Sequence, residues 1–162
     1  GQVGAGAALV HTGGNEIYAF LGGGSSEFWR YDISSTSWTN LSAQSGGALP
    51  GSVTSGGSLA YNGSDSLYAL PGGSNELWRY TISTNTWVGV STANFEVGSG
   101  GDLVMVDSDS GYVLQGGNTS DFWKFTAGSP LYDIHSQAGG VEIQARVELV
   151  GASSTIIYWD ID

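Results

Sequence analysis

Residues 8–23, 58–73 and 102–117 read ALVHTGGNEIYAFLGG, SLAYNGSDSLYALPGG and DLVMVDSDSGYVLQGG, three versions of one pattern in register. In each, a leucine (Leu9, Leu59, Leu103) precedes a glycine doublet (Gly22-Gly23, Gly72-Gly73, Gly116-Gly117) by the same distance. A tyrosine (Tyr18, Tyr68, Tyr112) stands four residues before the first glycine of each doublet. EFWRYD, ELWRYT and DFWKFT follow after a short polar gap, and a further aromatic (Trp38, Trp87, Tyr132) lies nine residues beyond Trp29, Trp78 and Trp123. Gly22, Gly72 and Gly116 set repeat lengths of 50 and 44 residues. Self-similarity at such a period restricts a chain to a repeat architecture, in which units bury apolar faces against one another.

Each unit reads as four short strands. Ala7–His11 and Glu16–Leu21 are apolar-rich runs joined by Thr12-Gly13-Gly14-Asn15, a hairpin turn by composition. Asn62-Gly63-Ser64-Asp65 and Asp107-Ser108-Asp109-Ser110-Gly111 take the same place in the other units. A third strand is expected over about Glu27–Ile33 and a fourth around Trp38. The connectors are rich in Gly, Ser and Asn, as turns with positive φ require. No segment carries a 3.6-residue apolar period, so helix is not expected.

Four strands per unit of this length is the arithmetic of a β-propeller blade. The chain resembles the kelch family over residues of about 6–134, with units at about 6–42, 56–90 and 100–134. That family places a glycine doublet after the second strand, an aromatic in the third and a Trp in the fourth. The matching residues are Gly22-Gly23, Tyr31 and Trp38; Gly72-Gly73, Tyr80 and Trp87; and Gly116-Gly117, Phe125 and Tyr132. The third unit departs by Phe125 for Tyr and Tyr132 for Trp. The resemblance implies an all-β fold of three four-stranded antiparallel kelch-like propeller blades within residues 1–135. Residues 136–162 would add a C-terminal β-hairpin, a degenerate blade or the start of another β domain. It implies little about activity, because the family includes adaptors, actin binders, oxidases and sugar-processing enzymes. Physically, the repeated aromatics read as packing groups. A blade covered on both faces wants large apolar area at its wide rim. Near the axis room is short, which suits Gly6-Ala7-Ala8, Gly56-Gly57-Ser58 and Gly100-Gly101.

Composition narrows function. With 4 Lys+Arg against 15 Asp+Glu, the net charge of −11 repels phosphate backbones and argues against nucleic-acid binding. No apolar run is long enough for a membrane-spanning helix. Cysteine is absent, which removes thiol catalysis and the cysteine cross-link on which kelch-type copper-radical oxidases depend. Scarce lysine among many Ser, Thr, Gly and Asn residues points to an extracellular, virion or cell-surface setting. Gly1 without a leading methionine leads to the expectation of a processed chain or a fragment.

Three blades do not close a ring, since propellers use four to eight. The tail does not continue the repeat. Val141, Ile143, Ala145, Val147 and Leu149 alternate with polar residues as a half-buried strand, and Thr155–Ile161 is expected to return as its hairpin partner. An unclosed wedge leaves an apolar face and an unpaired edge, both of which seek partners. Completion by another copy, another subunit or further sequence is therefore expected.

Candidate chemistry is sparse. Asp107–Gly111 has the D-x-D-x-G look of a calcium loop without its later acidic ligands, and its position is that of a plain turn. Glu27, Glu76 and Asp121 repeat in register, as do Arg30, Arg79 and Lys124, which suggests ion pairing or backbone hydrogen bonds within each blade. His11 and His135 occupy unrelated positions and form no metal spacing. Gly1–Gly6 holds a loose glycine pattern with no helix after it. Asn40, Asn62 and Asn118 begin glycosylation triplets. No metal and no cofactor is expected.

These residues favour a non-enzymatic structural or protein-interaction module. A binding face is expected on loops 24–26, 43–54, 74–75, 93–99 and 118–120, with Phe95, Glu96, Asn75 and Asn118 as contact candidates. Phe95 packed against its own blade is the alternative for that residue. Two other functions remain open. One is a carbohydrate-binding module using loop aromatics. The other is a sugar-processing enzyme of kelch type, for which Asp102, Glu96 and His11 are the acid/base candidates.

Overall fold

The computed structural model describes residues 1–93, 95–127, 132–133, 136–137 and 140–141. They form strands and turns, and three four-stranded antiparallel sheets follow one another along the chain. Blade 1 contains β1 (Ala8–His11), β2 (Glu16–Phe20), β3 (Phe28–Asp32) and β4 (Ser37–Asn40). Blade 2 contains β5 (Ser58–Tyr61), β6 (Ser66–Leu70), β7 (Glu76–Thr81) and β8 (Thr86–Thr92). Blade 3 contains β9 (Asp102–Met105), β10 (Ser110–Leu114), β11 (Phe122–Thr126) and β12 (Tyr132–Asp133). Each is a plain meander, every strand pairing with the next in sequence. Among the described residues no helix is long and apolar enough to cross a membrane.

Local chemistry sets the turns. Asn62 Oδ1 accepts from the N–H groups of Ser64 and Ser66, both at 3.0 Å, and closes the β5–β6 hairpin. Asp107 Oδ1 accepts from Asp109 N–H at 2.8 Å and Ser110 N–H at 2.6 Å, closing β9–β10 in the same way. One further bond recurs in every blade. The carbonyls of Asn15, Asp65 and Asp109 accept from the N–H of Ile33, Ile82 and Ala127, at 2.9, 2.9 and 2.6 Å, and tie the first turn to the end of the third strand.

The glycine doublets are required by both backbone and space. Gly22 and Gly23 have φ of +66° and +65°, and a Cβ on Gly22 would stand 2.5 Å from the carbonyl oxygen of Ala5. Here the loop passes directly over the segment that enters the blade.

Antiparallel register assigns each side chain to a face. In blade 1, Leu9, Ala19 and Trp29 stand in one row and His11, Ile17, Tyr31 and Trp38 in the next on the same face. The opposite face carries Ala8, Phe20 and Phe28, then Val10, Tyr18 and Arg30. We call the first face incoming and the second outgoing, because the outgoing face of blade 1 packs on blade 2. The junction of blades 1 and 2 buries Tyr18, Phe20 and Phe28 against Leu59, Leu67, Ala69, Trp78 and Tyr80, with Leu41, Leu49 and Val53 from the connector. The next junction buries Ala60, Tyr68, Leu70 and Leu77 against Leu103, Val113, Trp123 and Phe125. Blade 2 is thus covered on both sides. Leu67, Tyr68, Ala69 and Leu70, successive residues that alternate between its faces, are all 2 % exposed or less.

Of the tail, two short strands are described. Ser136–Gln137 (β13) pairs antiparallel with Gly140–Val141 (β14), so a short ladder follows blade 3. The expected strand 141–149 and its partner 155–161 lie outside the described residues, apart from Val141 itself.

Candidate functional site

The same repeat position has different surroundings in the three blades. On the incoming face, Leu59 and Leu103 are 7 % and 6 % exposed, whereas Leu9 is 68 % exposed. On the outgoing face, Phe28 and Leu77 are 0 % and 1 % exposed, whereas Phe122 at the same position is 41 % exposed. Leu114 stands where Phe20 and Leu70 are buried, and it is exposed. Trp38 is also exposed, while its equivalent Trp87 packs among Phe20, Phe28, Tyr80 and Trp78. The wedge therefore ends in two apolar faces, the incoming face of blade 1 and the outgoing face of blade 3. Their residues are of the type that the internal junctions bury.

Each internal junction also carries a pair of backbone hydrogen bonds. Val53 N–H donates to Ser25 C=O at 2.9 Å, and Gly24 N–H donates to Val53 C=O at 2.8 Å. Val97 N–H donates to Ser74 C=O at 2.9 Å, and Gly73 N–H donates to Val97 C=O at 2.7 Å. Each valine thus clips the entry of its blade to the loop after the glycine doublet of the preceding blade. Both valine side chains are buried. These valines are not among the residues expected from the sequence, though it carries a signal for them: Val3, Val53 and Val97 all stand 19 residues before a doublet glycine. Val3 is 75 % exposed. At the other end, Asn118 N–H and Thr119 C=O occupy the positions of Gly24 and Ser25 and have no hydrogen-bond partner among the described residues.

Of the four expected contact residues, Phe95 and Asn75 make contacts within the wedge, while Glu96 and Asn118 are exposed. Phe95 stacks on Trp123 of blade 3, ring centroids 4.1 Å apart, and packs on the cluster that also holds Leu70 and Leu77 of blade 2. Asn75 donates from Nδ2 to Ala93 C=O at 3.0 Å and accepts from Ala93 N–H at its own carbonyl, which fixes the loop. Asn118 takes a left-handed turn conformation with φ +63°. Glu96 is exposed. Loops 24–26 and 74–75, expected as binding loops, hold the two valine clips.

Of the in-register charges, Arg30 forms an ion pair within its blade as expected, whereas Glu27 and Glu76 take indole partners. Glu27 and Glu76 accept from the indole N–H of Trp29 and Trp78, at 3.3 and 2.9 Å, two residues along the same strand. Trp123 donates instead to Gln115, at 3.1 Å. Arg30 pairs with Glu16 at 3.1 Å, a residue outside the repeated acidic set. Glu16 also accepts from the Tyr18 hydroxyl at 2.8 Å. Burial, then the Glu16 hydrogen bond, raises the Tyr18 phenol above its ordinary pKa, and burial pushes Tyr80 up to about 12. Both phenols are thus held neutral at the junction.

The enzymatic candidates do not converge. His11 Nε2 lies 2.9 Å from Gly14 O in a hairpin turn, and Asp102 accepts from the Ser58 hydroxyl at 2.7 Å. Asp107 is held below the usual carboxylate range by the N–H groups of Asp109 and Ser110, as a turn residue would be. Among the described residues no group of three or more His, Asp or Glu could hold a metal ion. His135 lies outside the described residues.

No family model and no curated protein matches the chain. Solved structures do. The structure of YjhT superposes with a TM-score of 0.54 at 21% identity, over 67% of this chain and 32% of that one. A Bacteroides thetaiotaomicron protein of unknown function gives 0.54 at 10% identity, over 91% of this chain and 33% of that one. Kuenenia stuttgartiensis hydrazine synthase gives 0.55 at 13% identity, over 83% and 43%. At these identities the likeness concerns fold alone, and it agrees with propeller blades. The chain spans less than half the length of each of these structures.

Proposed function

We propose that this chain is a non-enzymatic protein-interaction module, a run of kelch-like blades that works inside a larger assembly at a cell or virion surface. The observation that carries the reading is the contrast between equivalent positions: Leu9 at 68 % exposure against Leu59 at 7 %. Apolar area of this kind is stabilising only when covered, at about 25 cal/mol per Å², and a contiguous exposed patch marks an interaction surface. The contacts are made by blade faces, with the loops serving mainly to join blades. The acidic, lysine-poor composition supports the surface setting and a partner other than nucleic acid.

Incorporation into the native assembly tests this. Leu9→Glu or Trp38→Glu is expected to exclude the chain from the assembly, while Glu96→Ala, on an expected contact loop, leaves it incorporated. The opposite pattern would return the function to the loops and end the proposal.

A further inference from the structure

We infer that the two open faces are the two halves of one interface, filled by a second copy of this chain. The outgoing face of blade 3 in one copy covers the incoming face of blade 1 in the other, and two chains close a six-bladed ring. The inference rests on the reading that the open faces bind protein, and it adds the identity of the partner.

The chain itself supplies the template. An outgoing face meets an incoming face twice within it, and the open faces carry the same residue types at the same positions. Phe122 stands for Phe28 and Leu114 for Phe20; opposite them, Leu9 stands for Leu59 and Trp38 for Trp87. The charge follows the same rule. Arg30 on the outgoing face of blade 1 lies close enough to Tyr80 to act on its phenol, and Lys124 would meet Tyr31 in the same relation. The backbone matches as well. The exposed Val3 of one copy has the position of Val53 and Val97, and the N–H of Asn118 and C=O of Thr119 in the other, without a partner among the described residues, have the positions of Gly24 and Ser25. An unrelated partner would have to reproduce both the apolar rows and this pair of hydrogen bonds. A second copy has them already. Six blades falls within the four to eight that propellers use.

Because each contact joins an outgoing to an incoming face, the ring holds two equal junctions related by a twofold axis. This gives a specific test by sedimentation equilibrium on the whole chain, with near-ultraviolet circular dichroism as the check on folding. The wild-type chain is expected at twice 16.8 kDa. Leu9→Asp and Phe122→Asp alter side chains that are exposed in the single chain, so both should fold, and each should weaken the dimer by about tenfold or more. Mixing the two variants leaves one junction wild type on both sides and should restore part of the association. A monomer at every concentration, a mass above two copies, or association indifferent to Phe122→Asp would each overturn the inference. A monomer that is nevertheless excluded from the native assembly by Leu9→Glu would sink the second-copy partner while leaving the interaction-module reading in place.

Discussion

Phe28 and Tyr80 meet edge to face across the first blade junction, with ring centroids 4.8 Å apart and planes at 73°. Each also packs within its own blade, Phe28 on Tyr18 and Tyr80 on Trp87, and among the described residues the aromatics at their positions on the open ends keep only that second kind of contact. Phe122 stacks on Tyr112 at 5.1 Å, and Tyr31 packs on Trp38 at 5.0 Å. Junction aromatics and open-end aromatics are thus the same repeat positions with and without a neighbour. Such pairs contribute about 0.5–1.5 kcal/mol beyond the area they bury.

The valine clips should matter out of proportion to their size. Val53→Ala removes two methyl groups from a site with 0 % exposure and is expected to cost about 2 kcal/mol. Val3→Ala, at the same repeat position but exposed, should stay within about 0.5 kcal/mol of wild type. Urea midpoints of the two variants, compared at equal slope, check this. Equal losses would contradict the role given to the neighbouring blade.

Two glycines with similar backbone angles should respond differently. Gly13 has φ +81°, and a Cβ added there would have nothing within 4 Å, so Gly13→Ala meets only the left-handed penalty of about 1–2 kcal/mol. Gly22, at φ +66°, would place its Cβ 2.5 Å from both Ala5 O and Ala7 N. Gly22→Ala must also displace backbone and is expected to cost about 3 kcal/mol or more. Thermal unfolding of the pair measures the difference, and similar losses would show that the doublet is not held by close approach.

The sequence made the repeat, the strands and the turns visible. The expected strands Ala7–His11 and Glu16–Leu21 differ by one residue at one end from β1 and β2, because period-two patterning and Asn/Gly/Asp turns are local signals. What covers a face is not local. The pattern that buries Leu59 also exposes Leu9, and alternation along a strand carries no record of the neighbouring blade. Val53 and Val97 escape notice in the sequence because each is a lone valine in a connector, without periodicity, and its role depends on a loop of the preceding unit. The in-register acids suggest ion pairs by their spacing. In the folded blade the indole two residues along the same face of the strand is nearer than the basic side chain.

The acidic acceptor of the buried indole gives a third prediction. Trp78 is 2 % exposed and its Nε1–H donates to Glu76 at 2.9 Å. Glu76→Ala leaves that donor short of a partner and should cost about 1 kcal/mol, whereas Glu76→Gln keeps an acceptor and should cost less. A double-mutant cycle with Trp78→Phe isolates the term, and a coupling near zero would mean that water serves the indole equally well.

Alkaline pH should loosen the first junction. The Tyr80 phenol, at 10.0 when free, is raised to about 12 in the folded chain, and Tyr18 is raised further in the same direction. Between these values the folded state keeps protons that the unfolded state loses. The stability these groups contribute is therefore full below pH 10 and falls as pH rises toward 12. Urea midpoints across this range, followed together with tyrosinate absorbance, are expected to fall as pH rises. A folded protein in which every tyrosine ionises at the ordinary value would contradict the burial.

The most direct measurement is residue-resolved hydroxyl-radical footprinting of the chain over a wide range of concentration. Leu9, Trp38, Leu114 and Phe122 are expected to react readily in dilute solution and to become protected together as chains associate. Phe28, Leu59 and Leu77 should stay protected throughout. Association that leaves the first four residues as reactive as before would contradict the claim that the open blade faces are where this protein meets its partner.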